Sequence, residues 1–205
     1  KNNGKASGSV HIMQLFETMV DVVSQGSVRR GRFSPYLPVE HSDIEEFLDI
    51  GTEGNTIQEL THGVTVSDAW MQEMIDGDVP KREIWAKVIQ RRGEIGYPYI
   101  FFNDKANSGA PEVYRDKDHR IHASNLCTEI MLPSNDKWSF VCVLSSINLL
   151  HYEKWKETDA VETMVYFLDA VITEFLEKLE RYKDSNDRDD HQTFLFMERA
   201  YNFAK

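Results

Sequence analysis

Cysteine, long apolar runs and positive charge are all scarce in this chain, and each scarcity excludes something. Two cysteines, Cys127 and Cys142, cannot form the disulfide framework that staples small secreted domains. No stretch approaches the roughly 20 apolar residues that a spanning helix requires. No charged-then-apolar leader opens the sequence, and together these features point to a reducing, cytoplasmic setting with no membrane partner. With 34 acidic against 23 basic residues the net charge is −11, which argues against a chain that coats DNA or RNA. No internal repeat, low-complexity tract or linker interrupts the sequence. What is present is ordinary for a soluble globular protein: 41% hydrophobic and 28% charged residues over a length of 205, enough for one domain or a large piece of one.

Periodicity sets out an alternating order of helices and strands. Ile12, Leu15, Phe16, Met19, Val20, Val22 and Val23 recur at helical spacing from Val10 to Gln25, with Gly26 as the stop. A polar loop with adjacent Arg29 and Arg30 follows; it reads either as a solvated surface turn or as a basic nucleotide contact. Phe33 to Leu37 reads as a strand. Ser42 and Glu45 form a capping box before a helix from Ile44 to Ile50. A strand from His62 to Val66 precedes a helix capped by Ser67 and ended by Gly77. Pro80 opens another helix, through Arg92, with Ile84, Trp85, Val88 and Ile89 as its core stripe. Tyr97 to Phe102 is a further strand. This order predicts an α/β fold with crossover helices. Asn103 to His122 reads as a polar loop. Later, Asp159 opens a long helix whose stripe, Val161, Met164, Val165, Leu168, Val171, Ile172, Phe175, Leu176 and Leu179, predicts core. A last helix begins near Phe194. The two ends read like interruptions, predicting a single partial domain over 1–205 that is an internal fragment.

The densest chemistry lies in Ser124 to Ile130. Alternation predicts an extended segment with Asn125, Cys127 and Glu129 on one face and Leu126, Thr128 and Ile130 turned inward. An amide, a thiol and a carboxylate on one face suit one small polar molecule. Cys142 falls in the apolar run Phe140 to Leu144, predicted to be a neighbouring strand. His119 and His122 with the two cysteines could be offered as a zinc set. Their spacing fits no standard ligand pattern, and loop-pinning or solvent-facing histidines are the stronger reading.

These residues resemble an internal part of the large, catalytic subunit of class I ribonucleotide reductase. The resemblance is carried by Ser124 to Ile130, Val141 to Ser145, the loop from Ser24 to Arg29, and His41 to Asp49, and it runs through nearly the whole chain. Leu126, between Asn125 and Cys127, is similar to class I; the cobalamin-dependent class has a proline and a glycine around its cysteine. The resemblance implies part of a ten-stranded α/β barrel, of the type shared with glycyl-radical enzymes, with Cys127 on a central finger loop. It implies that Cys127 becomes a thiyl radical and removes the 3′ hydrogen of a ribonucleoside diphosphate. Glu129 would take the 3′ hydroxyl proton, Asn125 would hydrogen-bond the substrate hydroxyls beside Ser124, and Cys142 would be one of two cysteines that end as a disulfide. These residue types suit such steps: a carboxylate can accept a proton at neutral pH, and a thiol pair supplies two electrons.

The same resemblance makes Ser24 to Arg30 a specificity loop for dNTP or ATP effectors. Gln25 and Arg29 occupy the positions that contact base and phosphate, beside Gly26 and Arg30. Lys1 to Gly8 resembles the end of a second effector loop. No cofactor is implied in this chain. The radical would come from a separate dimetal small subunit, the electrons from thioredoxin or glutaredoxin, and the complete enzyme would contain a homodimer of large subunits. The partner of Cys142, the radical-relay tyrosines and the substrate-phosphate loop have no counterpart here, so the chain by itself is predicted to be inert, whether the product of a truncated coding region or one piece of a split subunit. The alternative is a non-catalytic nucleotide-binding or regulatory remnant of the same fold.

Overall fold

A computed structural model describes residues 7–24, 28 and 31–205. The chain forms two compact units, Lys1–Leu132 and Pro133–Lys205.

In the first unit, helix α1 (Ser9–Val22) leads to strand β1 (Tyr36–Pro38) and the short α2 (Ile44–Phe47). Strand β2 (Gly63–Val66) is followed by α3 (Asp68–Asp76) and α4 (Val79–Ile95), then β3 (Tyr99–Phe102), α5 (Asn103–Ser108) and α6 (Glu112–Asp116). The three strands are parallel in the order β1-β2-β3, so each connection must cross over, and the intervening helices make the crossings. Tyr36, Gly63 and Tyr99 stand in one row of the register; Leu37, Val64 and Ile100 form the next. The core gathers Leu37, Phe47, Leu48, Ile50, Val64, Val66, Trp70 and Val88, with Trp85 packed against it. In β2, Gly63, Val64 and Val66 are all buried, the pattern of a strand covered on both faces.

Local chemistry explains the helix limits. Ser67 accepts a hydrogen bond from the Trp70 amide and caps α3, and Gly77 ends it in the left-handed conformation at φ 114°. Asp78 accepts from the Lys81 amide and caps α4, with Pro80 in its first turn.

The predicted capping box at Ser42 and Glu45 does not form. Asp43 instead reaches back to α1, where its carboxylate accepts from the Ser9 amide at 2.7 Å and the Ser9 hydroxyl at 2.8 Å. These two bonds hold the Asp43 carboxyl below the usual range. The predicted stripe of α1 is also corrected: Val10, Met13 and Val20 are buried, while Leu15 and Val22 are exposed. Asn103 to His122 is not simply loop, because it contains α5 and α6. Asn107 holds that segment, accepting from the Ile121 amide and donating to the Ile121 carbonyl.

The second unit has a 3-10 turn at Leu149–His151, then α7 (Tyr152–Trp155), α8 (Ala160–Lys183) and α9 (Arg188–Ala204). Helices α8 and α9 form a hairpin around Leu179, Phe194 and Tyr201. Asp187 caps α9 by accepting from the Asp189 and Asp190 amides. At the far end of α9, Tyr201 and Lys205 both donate to the Glu180 carboxylate.

Two expectations fail in this unit. Phe140 to Leu144 is irregular rather than a strand. An isolated strand is unstable without a partner ladder, and among the described residues all strand pairing belongs to the β1-β2-β3 sheet. The stripe of α8 is core only near its end: Leu179 is 4% exposed, whereas Val161 is 52% and Val165 is 60% exposed. Helix α9 has 17 residues against 24 in α8, so from the hairpin turn it runs out before reaching the start of α8.

Candidate active site

Ser124 to Ile130 folds as a tight turn, not as the extended segment that alternation predicts. Asn125 closes it. Its amide N–H donates to the Ile130 carbonyl at 3.0 Å, and its own carbonyl accepts from the Thr128 amide at 3.1 Å. Its side-chain oxygen accepts from the Glu129 amide at 3.1 Å and the Ile130 amide at 3.0 Å. Two N–H groups aimed at one end of the side chain fix that end as the oxygen, which leaves the NH2 end free to donate to a ligand. The competing local bonds of an asparagine are what turn an alternating sequence away from strand. Thr128 sits at φ 63°, a left-handed conformation that a β-branched residue avoids unless its surroundings impose it.

Cys127 and Glu129 are therefore exposed on one small turn. Ser124, Asn125, Cys127 and Glu129 are brought together by this turn; the predicted common face of a strand is replaced by their adjacency around its tip. Cys142 is exposed in the second unit, flanked by Val141 and Val143 in an apolar trough of about 250 Å³ formed with Val171, Ile172 and Phe175 of α8. Gln25, Gly26, Arg29 and Arg30 lie outside the described residues, as do residues 1–6 of the segment Lys1 to Gly8.

The sequence reading missed the aromatic floor beneath the turn. The Tyr36 hydroxyl is 2.9 Å from Ser124 Oγ, and its ring meets Phe101 edge-on at 6.2 Å. Gly63 makes room for that ring: a Cβ there would stand 2.3 Å from the Tyr36 ring. Tyr97 and Tyr99 meet edge to face at 5.1 Å. Burial first, then the hydrogen bond to Tyr97, pushes the Tyr99 phenol up, with smaller contributions from Tyr36 and Cys127. The sequence held no signal for it, because only the register puts Tyr36, Gly63 and Tyr99 in one row.

Beside this floor, a cleft of about 370 Å³ opens between the strand ends and the segment 120–123, with Tyr36, Thr65, Asn103, Arg120 and His122 among its lining. Asn103 Oδ1 is buried there without a hydrogen-bond partner. Ligands of open α/β sheets bind outside the carboxyl ends of the strands, and this cleft is so placed. Among the described residues, no three His, Cys, Asp or Glu side chains gather into a metal set. No described helix is long and apolar enough to cross a membrane.

The sequence pattern of the ribonucleotide reductase barrel domain matches residues 1–79 and 72–193. The chain belongs to the ribonucleotide reductase barrel-domain family. A frog virus 3 protein provisionally named ribonucleoside-diphosphate reductase large subunit is 33% identical over 195 residues, covering 86% of this chain and 34% of that protein. A vitamin B12-dependent ribonucleoside-diphosphate reductase of Thermoplasma acidophilum is 30% identical over 194 residues, covering 82% of this chain and 24% of its own length. Among solved structures, the class Id ribonucleotide reductase alpha subunit of Actinobacillus ureae superposes with a TM-score of 0.82 at 48% identity, covering 99% of this chain and 36% of that subunit. The chain thus spans about a third or less of these reductases. Its fold is that family's α/β architecture, represented among the described residues by a three-stranded parallel sheet.

Proposed function

We propose that this chain is the part of a class I ribonucleoside-diphosphate reductase large subunit that carries the hydrogen-abstracting cysteine. The observation that carries the reading is the Asn125-closed turn, which exposes a thiol and a carboxylate two residues apart in a chain of this family. Cys127 takes the 3′ hydrogen of a ribonucleoside diphosphate as a thiyl radical. Glu129 accepts the 3′ hydroxyl proton, and the free NH2 end of Asn125 donates to a substrate hydroxyl. Cys142 supplies one of the two thiols that reduce the sugar radical and end as a disulfide.

Class I is favoured over the cobalamin-dependent class by Leu126 within the turn and by the 48% identity to a class Id alpha subunit. On this reading the three strands are part of a ten-stranded barrel and the Cys127 turn is the tip of its finger loop. The exposure of Cys127 here means that the remaining barrel has to cover it, because a radical must be kept from solvent. The reading further assigns Gln25, Gly26, Arg29 and Arg30 to an effector loop, the initiating radical to a small dimetal subunit, re-reduction to thioredoxin or glutaredoxin, and a cytoplasmic setting.

The test uses the large subunit containing this sequence, its radical-generating partner, and a ribonucleoside diphosphate bearing deuterium at the 3′ carbon. Deoxynucleotide is expected, formed more slowly than from unlabelled substrate. No product from the assembled enzyme would refute the reading in favour of a non-catalytic remnant.

A further inference from the structure

We propose that Tyr36 is a positioning residue for the Cys127 turn, acting through Ser124. The inference rests on Cys127 being the reacting group, and its structural basis is a continuous chain of hydrogen bonds. A serine hydroxyl has one proton, and Ser124 donates it to the Asn125 carbonyl at 3.0 Å. The 2.9 Å contact between Tyr36 and Ser124 therefore has the phenol as donor. The carbonyl at the end of this chain is the one that receives the Thr128 amide and so closes the turn around Cys127. Tyr36 is thus coupled to the sulfur-bearing tip although it belongs to β1, 88 residues from Ser124.

The donor is itself immobilised. Its ring occupies the space left by the missing Cβ of Gly63 and packs edge-on against Phe101. Burial raises the Tyr36 phenol above the ordinary tyrosine range, so it stays protonated and keeps its donor role through neutral pH. The turn has need of such a tie. Thr128 at φ 63° holds a conformation that is unfavourable for a β-branched residue, and it persists only where surrounding bonds impose it. Hydrogen abstraction depends steeply on where the sulfur stands relative to the ribose, so a loosened turn loses rate rather than affinity.

Tyr36→Phe removes the hydroxyl and keeps the ring over Gly63, so the fold is retained. In amide hydrogen exchange, Thr128, Glu129 and Ile130 are expected to exchange about two- to tenfold faster in this variant, the loss of one hydrogen bond, while the amides of α4 are unchanged. Ser124→Ala should reproduce the effect, and the double variant should add nothing to it, because both residues act through one chain. In the large subunit assembled with its radical-generating partner, kcat is expected to fall with KM for the ribonucleotide unchanged. Unaltered exchange at the three turn amides overturns the proposal; so does equal acceleration in α4, which marks general loosening. If the turn amides respond as expected but the unsubstituted enzyme makes no deoxynucleotide, the Tyr36 tie stands and the catalytic reading alone falls.

Discussion

Replacing His62 by leucine should remove the loss of first-unit stability that one buried imidazole causes between about pH 7.5 and about pH 5. His62 is completely buried, with its ring edge-on to Phe47 at 5.2 Å and 5.6 Å from Tyr97. Neither ring nitrogen makes a well-aligned hydrogen bond; the Leu60 backbone beside the ring only weakly favours the charged form. Burial pushes the imidazole down from 6.5 to about 4. The native state therefore holds His62 neutral where the unfolded chain protonates it. Between these two values the unfolded state binds more protons, so stability rises with pH; it is fully present above the unfolded value and is lost as pH falls toward about 4. Linkage over this shift gives a loss of about 2 kcal/mol between about pH 7.5 and about pH 5, and about 3 kcal/mol once both states are titrated. The carboxylates held low, such as Asp43, act below this window and do not mask it. The assay is urea unfolding followed by the fluorescence of Trp70 and Trp85, which sit 6.2 Å apart in the first unit, in a background where Trp138 and Trp155 are phenylalanine. His62→Leu should flatten the pH slope by the stated amount. An unchanged slope would refute the assignment of a neutral, buried imidazole.

Gly63→Ala should destabilise the first unit by about 1–3 kcal/mol, because the new methyl enters the Tyr36 ring and forces it off Ser124; urea unfolding checks this. Thr128→Gly relieves the left-handed strain and should leave stability equal or higher by about 1 kcal/mol, while loosening the turn and lowering kcat in the assembled enzyme. Lower stability with unchanged turnover would contradict that account. Cys142→Ser should restrict the assembled enzyme to at most one turnover, measured as deoxynucleotide formed per subunit. Sustained cycling with a thioredoxin-type reductant would remove Cys142 from the disulfide role.

Much of the α/β order was legible in the sequence because local signals agreed with one another. Ser67 and Gly77 bracket α3, Pro80 opens α4, and the apolar runs at β2 and β3 are too short for helices. What the sequence made legible of the candidate site was that Asn125, Cys127 and Glu129 would stand close together, as they do on one turn. The shape of the site was not legible, because period-two alternation is also compatible with a turn when an asparagine satisfies several backbone groups at once. Phe140 to Leu144 misled for a different reason: apolar composition marks a potential strand, but the partner ladder is set by tertiary structure. The segment Ser42 to Glu45 shows the same limit, since its spacing fits a local capping box while the Asp43 carboxylate within it serves Ser9, 34 residues earlier. The Tyr36 floor could not be seen without the register that aligns Tyr36, Gly63 and Tyr99.

The most direct test of the central claim is deoxynucleotide formation by a large subunit carrying Cys127→Ser, assembled with its radical-generating partner and compared with the unsubstituted enzyme. A serine hydroxyl holds its hydrogen too strongly to be converted into the abstracting radical, yet it occupies almost the same space on the turn. The account predicts no deoxynucleotide from this variant while ribonucleoside diphosphate still binds with unchanged affinity. Appreciable turnover by Cys127→Ser would contradict it.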